Sequence, residues 1–351
     1  MPVADNMAIV YFGNDWYGEN RTSSHHIARR LGAKFPLLYV DTPGFRAPKA
    51  TGRDFRKLWR KLSRAASLPR AIGPHMWHMT LPQIPFRRAP GASWLNEMAG
   101  TALTRRAVRH LGFRRFISWF VVPHPGKLAG RLGEELVVYY CTDAFAAFPG
   151  VDSRSIQALD DHLTVRADQL FVTSLQLLEA KRPLNPSAEY SPHGVDADHF
   201  GQAMAEDLPV AEAAAGLPHP VVGFFGVIGA WIDVGLIARL AAARPCWTFL
   251  LVGMAAADVE PLASLPNVVL AGPRPYEELP RWAKAFDVAI IPYRRNRQVT
   301  NANPLKLREY LATGKPVVSV PTPEVDKFAG LVSIADTPEA FLAAIERAIA
   351  T

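Results

Sequence analysis

Residues 303–318 read NPLKLREYLATGKPVV, and this stretch decides the fold. Asn303 can cap a helix, and Pro304 suits a first helical position, where no backbone N–H is needed. The open N–H groups and positive dipole end of such a turn attract phosphate. Leu305 and Lys306 follow on the first turn, where Lys306 adds a full positive charge. Glu309 lies one turn further along and shares a face with Lys306. A carboxylate there can accept hydrogen bonds from vicinal ribose hydroxyls. An ordinary surface helix with an (i, i+3) ion pair is the alternative reading of the same spacing.

Working outward, short β-rich apolar runs alternate with helical patterns, which predicts parallel sheets with crossover helices. Strands are expected at 8–12, 37–40, 76–81, 116–122, 136–141 and 169–173, then at 221–225, 248–252, 268–270, 288–291 and 317–320. Helices are expected at 23–31, 94–111 and 153–165, then at 233–243, 276–285, 304–313 and 338–350. Residues 191–220 are rich in Pro, Gly, Ala and acidic residues and mark the boundary. The division is set at 1–200 and 201–351. Two facing doubly wound α/β domains are expected, with a cleft between them at the carboxyl ends of their strands.

A chain of 351 residues is comfortable for two such domains. Its only cysteines, Cys141 and Cys246, exclude a disulfide framework and point to a reducing, cytoplasmic setting. No secretory signal is visible. Residues 213–232 carry no formal charge, but Pro218, Pro220 and four glycines break them into a linker, strand and turn rather than a membrane span.

The run 303–318 resembles the donor-site helix, turn and strand of bacterial GT-B glycosyltransferases, and other segments match that family in order. His193-Gly194-Val195-Asp196 resembles its inter-domain "NGVD" signature, with His in place of Asn. Residues 221–229, with Gly226, resemble the first donor-domain strand and glycine turn. Residues 267–280 and 287–293 resemble two later donor-domain segments. Trp16 and residues 21–31 resemble transferases of exopolysaccharide and teichuronic acid assembly.

The resemblance implies an enzyme that transfers a sugar from a nucleotide-diphosphate donor, with no cofactor beyond that substrate. In the large retaining branch two glutamates are spaced E-x7-E. Glu309 matches the second, but Asn301 stands where the first belongs. That branch also has basic residues after the first donor-domain strand, and residues 226–233 contain none. Lys306 is then expected to neutralise the diphosphate, helped by Arg294, Arg295 or Arg297. A metal is not expected.

These departures bring the chain closer to inverting glucuronosyltransferases of xanthan-type assembly. In that group a tyrosine and a hydrophobe-Lys pair hold uridine diphosphate, which here implies Tyr293 and Leu305-Lys306. The general base there is an N-terminal-domain aspartate, matched by Asp143 after the strand at 136–141. Direct displacement needs a group to take the acceptor hydroxyl's proton, although Asp143 also reads as a turn residue. His124, between Pro123 and Pro125, matches a sugar-contacting histidine of retaining relatives, or is a plain loop residue. His25 and His26 have no metal-ligand spacing.

Charge is divided unevenly: residues 1–150 sum to +13 and the remainder to −6. Residues 53–64 read RDFRKLWRKLSR. Phe55, Leu58, Trp59 and Leu62 form one apolar stripe, flanked by Arg53, Arg56, Lys57, Arg60, Lys61 and Arg64. This is the pattern of a basic interfacial helix on an anionic membrane surface; a core-packing amphipathic helix is the alternative. Phe86, Arg87 and Arg88 continue the mixture. A helix-turn-helix, RRM or KH signature is absent from the sequence, so nucleic acid is not the expected partner. The expected acceptor is a lipid-linked saccharide or polysaccharide, reached from the inner face of the cell membrane.

Three other readings share parts of the pattern. A nucleotide-sugar 2-epimerase has the same two-domain fold. A nicotinamide dehydrogenase would need GxGxxG, and Gly223, Gly226 and Gly229 do not supply it. A non-catalytic sugar-nucleotide or membrane-binding module fits the departures at Asn301 and 226–233.

Overall fold

A computed structural model of the chain describes residues 7–18, 22–41, 68–82 and 91–350. The basic segment at 53–64 and Phe86, Arg87 and Arg88 lie outside the described residues. The chain divides into two compact units, Met1–Pro192 and His193–Thr351.

Among the described residues, unit 1 carries an eight-stranded sheet. Its strands are β1 (Met7–Gly13), β2 (Leu37–Asp41), β3 (Arg70–Gly73), β4 (Met76–Thr80), β5 (Arg115–Phe120), β6 (Leu136–Cys141), β7 (Gln169–Val172) and β8 (Ala188–Tyr190). The order is β3-β4-β2-β1-β5-β6-β7-β8, parallel except for β3 at the edge. Both faces are covered, as parallel sheets require. Along β1, Ala8, Val10 and Phe12 enter one core, while Ile9 and Tyr11 enter the other.

Unit 2 repeats the design with six parallel strands. They are β9 (Val221–Phe225), β10 (Thr248–Val252), β11 (Val268–Gly272), β12 (Val288–Ile291), β13 (Val317–Ser319) and β14 (Ser333–Ile334), ordered β11-β10-β9-β12-β13-β14. Val222 and Phe224 face one core, Val221 and Phe225 the other. In each sheet the strand order reverses beside the first strand, between β1 and β5 and between β9 and β12. The carboxyl ends at such switch points are where open α/β sheets bind ligands.

Acidic and amide side chains start the helices. Asp152, Asp196, Asp233 and Asn296 each accept a backbone N–H three residues on, as does the Ser174 hydroxyl. Each such cap contributes about 1 kcal/mol.

The structure differs from the sequence expectations in several places. β3, β8 and β14 were not expected, being two to four residues long and too short for a periodic signal. The expected helix at 276–285 opens as a 3-10 turn, Tyr276–Glu278, before the helix Leu279–Lys284, which has Pro280 in its first turn. The Pro- and Ala-rich segment after His193 is no free linker. Phe200, Ala203, Ala211 and Ala214 are buried with Phe225, Trp282 and Tyr310 in one core of unit 2. Among the described residues no helix is long and apolar enough to cross a membrane.

Candidate functional site

In unit 2 the sequence-predicted residues gather at the β9–β12 switch point. β9 ends at Phe225, and Gly226 follows with φ +136°, a conformation L side chains rarely adopt. A Cβ at Gly226 would lie 2.6 Å from Lys306 Cε, so the missing side chain lets the lysine cross the turn. Lys306 Nζ sits 5.1 Å from the centroid of the Phe225 ring and 2.6 Å from Glu309 Oε2. Glu309 is buried. The ion pair of the plain surface-helix reading is therefore formed, but at the sheet's carboxyl edge.

Tyr310 ties the same helix to the strand. Its buried hydroxyl accepts from Phe225 N (2.9 Å) and donates to Phe225 O (3.3 Å). Tyr293, just past β12, is half-buried and bridges Ile232 across the switch point. Arg294 is committed to that loop, since its N–H donates to Trp231 O (2.7 Å) and its Nε to Ile232 O (3.1 Å). Arg295 lies 3.9 Å from Asp336 on the surface, and Arg297 is exposed.

One expectation is corrected. Asn303 does not cap the helix: Leu305–Ala312 is helical, Pro304 occupies the cap position in an extended conformation, and Leu305 is the first helical residue. The extended Pro304 shifts the helix start along by one residue and leaves the buried Asn303 amide elsewhere. Its Nδ2 donates to Glu324 Oε2 (3.2 Å), and its Oδ1 accepts from the Arg308 guanidinium. Glu324 is almost wholly buried and also receives Lys327 Nζ at 2.7 Å. His193 is buried against this group, and its pKa is pushed down to about 4 by burial first and Arg308 second, with Glu324 opposing. Glu324 and Arg308 escaped the sequence reading: Glu324 stands in no motif, and Arg308, though inside 303–318, pairs with Asn303 in a way its spacing does not signal.

In unit 1, Asp143 follows β6 by two residues. Its carboxylate accepts from Thr142 Oγ1 at 3.2 Å, and burial pushes its pKa up to about 7 despite that hydrogen bond. Asp143 O accepts from Phe145 N (3.0 Å), fixing the turn. Below it lies a buried polar group. Tyr139 donates to Asp160 Oδ1 (2.5 Å), and Lys181 Nζ pairs with Asp160 Oδ2 (2.7 Å) and Thr164 Oγ1 (2.8 Å).

His124 is buried after β5 and lines a pocket of about 220 Å³ with Leu81, Asn96, Glu97, Leu128 and Ser155. His25 has structural work: its Nδ1 accepts from Thr22 N (3.1 Å), leaving Nε2 to donate to Asp15 O (3.0 Å). A pair the sequence did not signal, His78 Nε2 and Asp41 Oδ2 at 3.0 Å, is buried between β2 and β4.

Residues 219–351 match the family described as glycosyl transferases group 1. The matched residues lie within the C-terminal unit. Lys306, Glu309 and Gly226, at the switch point, all fall within the matched residues. TuaH of Bacillus subtilis (strain 168), a glycosyltransferase assigned to teichuronic acid biosynthesis, is 30% identical over 256 residues. The match covers 66% of this chain and 63% of TuaH, so the chain spans under two thirds of that relative's length.

Among solved structures, sucrose-phosphate synthase from Thermosynechococcus elongatus superposes with a TM-score of 0.71 at 16% identity. The superposition covers 98% of this chain and 90% of that one. A trehalose-6-phosphate structure from E. coli bound with UDP-2-fluoro glucose gives 0.65 at 13% identity, covering 97% and 91%. At such identities these likenesses show the fold, and the fold is GT-B: two Rossmann-like units, the second holding the residues that match group 1.

Proposed function

We propose that the protein is a glycosyltransferase that moves a sugar from a UDP-sugar to a lipid-linked or polysaccharide acceptor, without a metal ion, working peripherally at the inner face of the cell membrane. The observation that carries this reading is the Lys306–Glu309 pair against Gly226 at the switch point of the unit whose residues match group 1. The UDP-2-fluoro glucose in a structure of the same fold supports the choice of donor, and the likeness to TuaH supports the acceptor class.

Glu309 accepts the ribose hydroxyls, Tyr293 lines the nucleotide pocket, and Lys306 with the start of the Leu305–Ala312 helix takes the diphosphate. Negative charge grows on that leaving group in the transition state, so a fixed cation there lowers the barrier. Asp143, with its pKa near 7, is poised as a base at neutral pH. It takes the acceptor hydroxyl's proton as that oxygen bonds to the anomeric carbon and the bond to the diphosphate oxygen breaks, releasing UDP. The His124 pocket, with imidazole, amide, carboxylate and hydroxyl groups among leucines, contacts the acceptor sugar.

The test is a thermal-shift comparison of UDP-, GDP- and dTDP-sugars, followed by release of UDP in the presence of membrane lipid extract. Ligands that bind only the native state raise its stability. A shift with UDP-sugars that Lys306→Ala abolishes supports the reading, and no shift with any of the three overturns it.

A further inference from the structure

The helix Ala92–His110 buries one side, through Ala92, Gly100, Thr104, Ala107 and Val108. Its other side is unusual. Trp94, Leu95 and Met98 are 61%, 47% and 53% exposed, three large apolar side chains within five residues. Arg105, Arg106 and Arg109 are exposed further along. At 3.6 residues per turn all six fall within an arc of about 120°. They form one stripe, apolar at its amino end and cationic at its carboxyl end, with the exposed Ala99 and Ala102 in the middle. The only carboxylate of this helix, Glu97, is turned toward Lys127 (3.0 Å) and Arg131 (3.8 Å).

We infer that this face is a second, independent docking surface for an anionic lipid bilayer. Scattered exposed apolar residues are ordinary, but a contiguous set marks an interaction site. The charge pattern selects the occupant. A second copy packed on this face would offer the arginines no carboxylate from the same helix, whereas an anionic leaflet is complementary to them and to the +13 of residues 1–150. Trp suits the headgroup region, Leu95 and Met98 reach the acyl boundary, and arginine stems lie along the apolar surface while their heads stay with the phosphates. The surface differs from the basic segment at 53–64. The inference rests on the reading above only for the bilayer as occupant, because donor binding in unit 2 does not depend on it.

The experiment uses the full chain with phosphatidylcholine vesicles containing phosphatidylglycerol, with and without brominated acyl chains. Brominated lipid is expected to quench tryptophan emission in the parent, and Trp94→Phe should remove a distinct part of that quenching. Changing Arg105, Arg106 and Arg109 together to Gln should weaken vesicle binding on the order of 100-fold. The Trp94→Ser, Leu95→Ser, Met98→Ser triple variant should bind vesicles more weakly than the parent yet keep the UDP-sugar thermal shift, which shows that it is folded. Quenching unchanged by Trp94→Phe overturns the inference. So does a dimer in sedimentation that the triple variant dissolves, which would assign the face to a second copy. Vesicle binding without any nucleotide-sugar shift in the parent would strike the transferase reading alone.

Discussion

Lys306 Nζ lies 2.6 Å from Glu309 Oε2, and the carboxylate is the more deeply buried partner. Lys306 offsets the charge of Glu309 in a sheltered place, and under the proposed function each group also binds a part of the donor. Lys306→Ala should reduce UDP-sugar affinity at least about tenfold and destabilise the fold by about 1–3 kcal/mol, because a buried carboxylate loses its partner. Glu309→Gln keeps the volume and should weaken affinity about tenfold through loss of a charged acceptor. Calorimetric titration and denaturant unfolding separate the two effects.

Asp143→Asn should remove nearly all turnover while leaving the UDP-sugar thermal shift intact. The parent should lose activity as pH falls through about 7, since the carboxyl must be ionised to take a proton. A pH–rate profile checks this, and an acid limb that persists unchanged in the residual activity of Asp143→Asn would refute the assignment.

His193 predicts a stability effect of opposite chemistry. Its folded pKa of about 4 lies below the ordinary 6.5, so folding favours the neutral ring. That contribution is complete above pH 6.5 and is lost as pH falls toward 4, by at most about 3 kcal/mol. His193→Asn should flatten the loss of unfolding free energy over that window. Parallel acid titrations of the two proteins in urea give the difference directly.

Asp160 holds Lys181 and Tyr139 together inside unit 1. Asp160→Ala leaves the lysine charge buried and unpaired, and should cost about 3–5 kcal/mol. The double change with Lys181→Met should recover much of that loss in denaturant unfolding.

Much of the fold was legible because parallel strands buried on both faces read as continuous apolar runs. Val221–Phe225, Thr248–Val252 and Val288–Ile291 carry that signal plainly. Ser333–Ile334 and Ala188–Tyr190 gain their structure from neighbouring strands and have too few residues to announce it. The site was legible in Lys306 and Glu309, whose one-turn spacing survives in the structure. Asn303 misled, since its amide had a choice between a local cap and distant partners, and Glu324 lies 21 positions away. Local spacing cannot express that competition. His193 stood in a recognisable signature, yet its environment depends on Arg308 and Glu324, which no periodicity links to it.

Gly226 and its neighbour strand carry one more implication. Gly253, after β10, has φ +150°, and a side chain there would collide with the carbonyl of Gly226. Gly226 N in turn donates to Val252 O at 2.8 Å. Two loops thus meet backbone to backbone, with no side chain between them to adjust. Over evolutionary time such positions share a fate: a lineage that loses one glycine must rebuild the other's loop, and the turn that Lys306 crosses would be remade along with it.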